Sequence, residues 1–120
     1  KLLEPIKVGN IEFKNRIMFP PLTTGYEEKD GSIGEQSFRF YELSAKGGVG
    51  YIVIGIVAPL PTFSPTPKLY SPEQVQASKN LLTHVMKTGA KAWNSVIHPD
   101  YNVKALNDMF HQGKIAGSKS

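Results

Sequence analysis

The stretch with the clearest chemical potential is Pro20-Pro21-Leu22-Thr23-Thr24-Gly25-Tyr26. Consecutive prolines stiffen the backbone and leave carbonyls without ladder partners, Thr23 and Thr24 supply hydroxyls, and Gly25 lets a flat ligand approach. Such a platform suits a planar heterocycle held by a few fixed hydrogen bonds. The plain alternative is a strand-to-loop stop. His98, followed by Pro99-Asp100, can hydrogen-bond an anionic ligand or donate a proton, although a lone histidine serves as readily as a structural donor. Tyr26 and Tyr101 can stack on a ligand or simply pack as amphipathic rings. His84 and His111 show no zinc-like spacing with each other or with a carboxylate, so no metal is implied. Gly47-Gly48-Val49-Gly50 lies after a helix and before a strand, the reverse of the order a phosphate loop needs, and reads as a helix cap.

These residues need a scaffold, and the hydrophobic pattern supplies one. Ile6 and Val8, then Ile11 and Phe13, alternate around Gly9-Asn10 as a short hairpin. Arg16-Ile17-Met18-Phe19 is a strand stopped by the two prolines. From Glu35 to about Ala45, Phe38, Tyr41 and Ala45 recur at helical spacing. Gly50 to Val57 is an apolar, β-branched run without alternation, which predicts a parallel strand covered on both faces.

Residues 58 to 70 hold too much proline for regular structure and form a shaped loop. Ser71-Pro72-Glu73-Gln74 combines a capping serine, a first-turn proline and a capping-box glutamine. Val75, Leu82, Val85 and Met86 are the expected inward stripe of this second helix, with Gly89 at its end. Lys91 to Ile97 predicts a third strand, and Val103, Leu106 and Phe110 a last amphipathic segment before a frayed tail. The rhythm is that of βα units around a parallel sheet, whose ligands bind outside the carboxyl ends of the strands. Those ends are 20–26, 55–59 and 95–101.

The chain has 120 residues, 40% of them hydrophobic, no cysteine and a net charge of +4. It is treated as one domain, residues 1–120, with no disulfide or thiolate metal site. No apolar run approaches the roughly 20 residues that span a bilayer, and Lys1 to Pro5 starts no secretory signal, so a soluble cytoplasmic protein without membrane contact is expected. Basic residues are spread among acidic ones, which points to a solvated surface and away from a nucleic-acid partner.

Several motifs together carry a resemblance. Leu3-Glu4-Pro5-Ile6-Lys7-Val8-Gly9-Asn10, Lys14-Asn15-Arg16-Ile17, Pro21 to Tyr26, Tyr41-Glu42 and Lys46 to Gly50 resemble the N-terminal part of the old yellow enzyme family, most closely its bacterial NADH:flavin oxidoreductase/NADH oxidase branch. The resemblance implies an α/β fold, the first three βα units of a (β/α)8 TIM barrel preceded by the hairpin. It implies FMN at the barrel mouth, NAD(P)H as reductant, and hydride transfer to an activated alkene or another small-molecule acceptor. By the same resemblance Pro20, Pro21, Leu22 and Thr23 match the first flavin-contacting strand end, and Gly55, Ile56 and Val57 fall near the second. Ser95-Val96-Ile97-His98 stands where the family has Gln-x-x-His, so serine replaces the flavin-binding glutamine and offers no amide pair. A complete barrel of this class has about 250 residues, so three units expose sheet edges that invite a homo-oligomer or pairing with the remaining barrel segments. The alternative to an enzyme part is a noncatalytic α/β module that associates through those edges.

Overall fold

The structure is a computed structural model and describes residues 1–60 and 66–97 together with Asp108 and His111. His98, Tyr101, Val103, Leu106 and Phe110 lie outside the described residues. β1 (Ile6–Val8) and β2 (Ile11–Phe13) form an antiparallel hairpin with Val8 opposite Ile11. Gly9 takes φ +59° at the first turn position while Asn10 stays at negative φ, the pattern of a type II′ turn, whose twist suits a two-residue hairpin.

β3 (Met18–Phe19), β4 (Tyr51–Val57) and β5 (Lys91–Val96) form a parallel sheet in that order. α1 (Glu35–Lys46) and α2 (Pro72–Met86) make the two crossovers. β3 is shorter than the sequence predicts because Asn15 takes over the backbone before it. Its Oδ1 accepts the Ile17 N–H at 3.0 Å and its Nδ2 donates to the Gly48 carbonyl at 2.6 Å.

α1 places Glu35 in its first turn and Lys46 in its last, matching the helix dipole. α2 begins with the expected capping box, in which Ser71 Oγ accepts the Gln74 N–H at 3.2 Å and Gln74 Oε1 accepts the Ser71 N–H at 3.2 Å.

The core lies between the sheet and these helices and contains Tyr41, Ala45, Ile52, Ile54, Leu81, Val85 and Ala90. Phe19 meets Tyr41 edge-on at 6.2 Å. Two sequence expectations need correction here. Val75 and Met86 of the predicted α2 stripe are 47% and 46% exposed, while Gln74, Ser78, Leu81 and Val85 form the buried face. The inward face is turned because two of its positions are polar and hydrogen-bonded, as when Asn94 Nδ2 donates to Ser78 Oγ at 2.9 Å. β4 is also covered unequally, with Ile52 and Ile54 buried against the helices and Tyr51 and Val53 half-buried on the other side, where Phe13 of the hairpin packs on Tyr51. On that second side Met18 and Trp93 remain partly exposed.

At the surface, Glu42 Oε1 accepts from His84 Nε2 at 2.9 Å and from Lys46 Nζ at 3.1 Å, joining α1 to α2. These two partners, His84 first, hold the Glu42 carboxyl below the usual glutamate range. Among the described residues no helix is long and apolar enough to cross a membrane.

The α2 face is tested by truncation. Leu81→Ala is expected to destabilise the chain by about 2–5 kcal/mol, and Val75→Ala by less than about 0.5 kcal/mol, in denaturant titrations. Equal losses would mean that the helix face is wrongly assigned.

Candidate functional site

The carboxyl ends of the three parallel strands meet at Gly55. Leu22 bridges back to Gly55 in antiparallel fashion after the two prolines, which lays the β3 exit across the tip of β4. A Cβ added at Gly55 would stand 2.5 Å from Pro21 Cβ and 3.1 Å from Ser95 Cβ. No side chain fits there, so glycine is what allows Pro21 and Ser95 to close in from either side.

The ladder changes at the same place. Three steps along β4, from Ile54 to Val57, face two along β5, from Asn94 to Val96. One extra residue on β4 makes a bulge, the device by which strands commonly re-aim their ends beside functional sites.

Around this point Pro20, Pro21, Leu22 and Thr23 are exposed, and Ile56 and Ser95 are half-buried. Val57 is fully buried and its carbonyl accepts the Ile97 N–H at 2.9 Å, so its side chain is enclosed and its acceptor is engaged. The residues brought together from the sequence reading are thus Pro21, Leu22, Gly55 and Ser95, with Thr23 next in the chain. His98 and Tyr101 fall outside the described residues.

The ledge offers hydroxyls and main-chain groups around a small, apolar floor, which fits one edge of a planar heterocycle. It carries no acid–base pair among the described residues. Among the described residues no group of three or more His, Asp or Glu side chains could hold a metal ion.

Tyr26 packs on α1 and stays partly exposed. Its ring meets Phe40 of α1 edge-on at 5.5 Å, and its N–H donates to Thr24 Oγ1 at 3.2 Å, which is the packing role left open by the sequence. Thr24 Oγ1 in turn donates to Glu27 Oε1 at 2.9 Å.

Glu27 belongs to a polar group that sequence reading missed. Its Oε2 is buried without a hydrogen-bond partner, and so is the Tyr41 hydroxyl. Tyr41 is pushed up to about 12 by burial and then by the Glu27 charge, an effect partly offset by the Gly55 backbone close by. Lys68 is buried too, its pKa lowered by burial and supported by the charge of Glu27. The signal for this group was weak, because Glu27 and Lys68 read as solvated loop charges and Tyr41 as a core ring.

A pocket of about 330 Å³ lies at the other end of the sheet, lined by hairpin residues and by Tyr51 and Trp93. It is mostly apolar and shares no residue with the ledge.

Comparison with known proteins places these features. Residues 1–117 match the model of the NADH:flavin oxidoreductase/NADH oxidase family. Over 120 residues the chain is 52% identical to a bilirubin reductase from Mediterraneibacter gnavus, covering 100% of this chain and 19% of that protein. Over 56 residues it is 41% identical to a cinnamate reductase from Clostridium sporogenes, covering 46% of this chain and 8% of that protein. The fold superimposes on an old yellow enzyme from a Pichia species with a TM-score of 0.72 and 29% identity, covering 79% of this chain and 25% of the other. The chain therefore spans about a fifth of the length of the bilirubin reductase.

Two variants probe the ledge. Gly55→Ala is expected to destabilise by about 1–3 kcal/mol through the clash with Pro21, and Pro21→Gly in the same chain should recover part of that loss, which a double-mutant cycle in urea would read. The second concerns pH. Tyr41 ionises near 12 in the folded chain against 10.0 ordinarily, so the folded state retains a proton that the unfolded chain releases, and stability falls as pH rises from 10.0 towards 12. Tyr41→Phe should abolish that fall, which thermal melts across alkaline pH would detect.

Proposed function

The chain belongs to the NADH:flavin oxidoreductase/NADH oxidase family, and from that premise we propose that its strand ends hold the ring of FMN in an oxidoreductase that passes hydride from NAD(P)H to an activated carbon–carbon double bond. The observation that carries this reading is the convergence of Pro21 and Ser95 on Gly55 from the two flanking strands, which brings three strand ends close together.

When bound, FMN supplies the hydride chemistry, and the protein supplies binding and orientation. Thr23 would hold the ring through its hydroxyl, the Pro20-Pro21 backbone would form a rigid floor that loses little entropy on binding, and Gly55 and Ile56 would hold it from the second strand. Ser95 reaches less far than the glutamine found there in the family, which leaves the ring with one fewer amide pair from this strand.

The acceptor is proposed from the company the chain keeps. A bilirubin reductase at 52% identity and a cinnamate reductase at 41% both have names that point to conjugated acceptors. An extended conjugated system, such as the bridge carbons of a linear tetrapyrrole, is the narrower choice because that relative matches the whole chain.

The half-covered sheet face favours a companion reading, in which the chain is completed by further barrel segments or by a second copy. Met18 at 44% exposure and Trp93 at 38% are the apolar groups that such a partner would cover.

The test is FMN titration of the full chain, followed by anaerobic NAD(P)H oxidation with bilirubin or cinnamate as acceptor. Saturable FMN binding is expected, with Ser95→Gln tightening it by about tenfold through the added amide. A full chain that retains no flavin ends the proposal. A flavin-free, stable oligomer in light scattering would establish the noncatalytic reading instead.

A further inference from the structure

Gln74 does more than cap a helix. It is 4% exposed, and each polar atom of its side chain is engaged. Oε1 accepts the Tyr70 N–H at 3.1 Å and the Ser71 N–H at 3.2 Å, while Nε2 donates to the Asp30 carbonyl at 2.9 Å. A capping box needs only the reciprocal bonds with Ser71. The other two reach different segments: Asp30 lies in the loop that begins at Pro20, and Tyr70 in the segment that leads into α2.

Neighbouring contacts reinforce the same junction. The Lys68 N–H donates to the Gly31 carbonyl at 2.9 Å, and a Cβ on the buried Gly31 would collide with the Lys68 side chain. Asp30 is itself fixed, since its Oδ1 accepts the Ser32 N–H at 2.9 Å and its Oδ2 the Ser32 hydroxyl at 2.7 Å. Segment 66–70 is in turn tied to the end of β4, where the Ala58 N–H donates to the Pro67 carbonyl and the Leu69 N–H to the Ala58 carbonyl, both at 2.9 Å.

We propose that Gln74 is a positioning residue that locks the 20–34 loop to segment 66–70 and so fixes the Thr23 edge relative to the β4 edge of the mouth. This role rests on the flavin reading above. Gln74 stands in the outer helix layer and acts on the ligand only through the two segments it joins. An amide is needed there because the same side chain must accept from two N–H groups and donate to a carbonyl.

The experiment separates the lock from the cap. Gln74→Glu keeps the acceptors for Tyr70 and Ser71 but loses the donor to Asp30. Ser71→Ala removes the hydroxyl of the capping box but leaves the Gln74 side chain intact. In the full chain, Gln74→Glu is expected to speed amide exchange at Lys68 and to weaken FMN binding by up to about tenfold, the limit reached if the whole of the lost Asp30 hydrogen bond goes into ordering the Thr23 edge. Ser71→Ala is expected to lower the thermal midpoint while leaving FMN affinity and Lys68 exchange as in the parent. The lock is overturned if Gln74→Glu leaves Lys68 exchange or FMN affinity unchanged, or if Ser71→Ala reproduces both effects. A parent chain that binds no FMN overturns the flavin reading and the positioning role together, whereas unchanged affinity in a flavin-binding Gln74→Glu chain overturns the positioning role alone.

Discussion

The mouth depends on a missing side chain. Parallel strands in this sheet stand side by side at ladder spacing, and at their tips the chain must also bring the β3 exit across β4. The contacts of 2.5 Å and 3.1 Å that a Cβ at Gly55 would make with Pro21 and Ser95 show how little room remains. Any larger residue would push either the proline loop or β5 outward, and the exposed groups at Leu22 and Thr23 would move with it. The β4 bulge beside Gly55 belongs to the same solution, since an extra residue lets the strand turn its end without breaking the pairing of Val57 with Val96.

What lies beneath Gly55 explains why the tip stays where it is. Tyr41 fills the core below it, packed against Phe19 and Phe40, and its hydroxyl and the Glu27 carboxylate are both enclosed with atoms left unpartnered. Enclosed polar atoms without partners are costly, so their presence under the β4 tip marks a place where packing for stability has given way. Thr24 holds one Glu27 oxygen, and the charge of Glu27 favours the protonated, buried Lys68. The polar layer thereby links the first strand exit to segment 66–70 from below, while Gln74 links them from outside.

Local signals in the sequence were read well because their physics is local. The Gly9-Asn10 turn, the Ser71 to Gln74 capping box and the glycines that stop α1 each depend on a few adjacent residues. The α2 face was misjudged for an instructive reason. Apolar periodicity counts Val75 and Met86 and ignores Gln74 and Ser78, yet those polar residues are buried because each has a distant partner, Asp30 for one and Asn94 for the other. Glu27 and Lys68 were hidden in the same way, as loop charges whose burial depends on residues about forty positions apart. The order of the strand ends was legible, but the closeness of Pro21, Gly55 and Ser95 was a matter of three-dimensional fit that no spacing rule encodes.

The hairpin decides which end of the sheet is open. Phe13 of β2 packs on Tyr51 at 5.0 Å and on Trp93 at 5.8 Å, and Tyr51 and Trp93 meet edge-on at 5.8 Å. These rings stand near the amino ends of β4 and β5, and Lys14 Nζ fastens the same end by donating to the Thr88 carbonyl at 3.0 Å. Aromatic contacts of this kind add to the area they bury, so the hairpin is held as a lid on the amino-terminal side of the sheet. The carboxyl side carries no such cover among the described residues and holds instead the exposed prolines, Leu22 and Thr23. A ligand that needs backbone groups and hydroxyls can therefore reach the sheet from that side, which is also where parallel α/β folds place their sites. The polarity of the chain thus follows from an aromatic plug at one end and a glycine at the other.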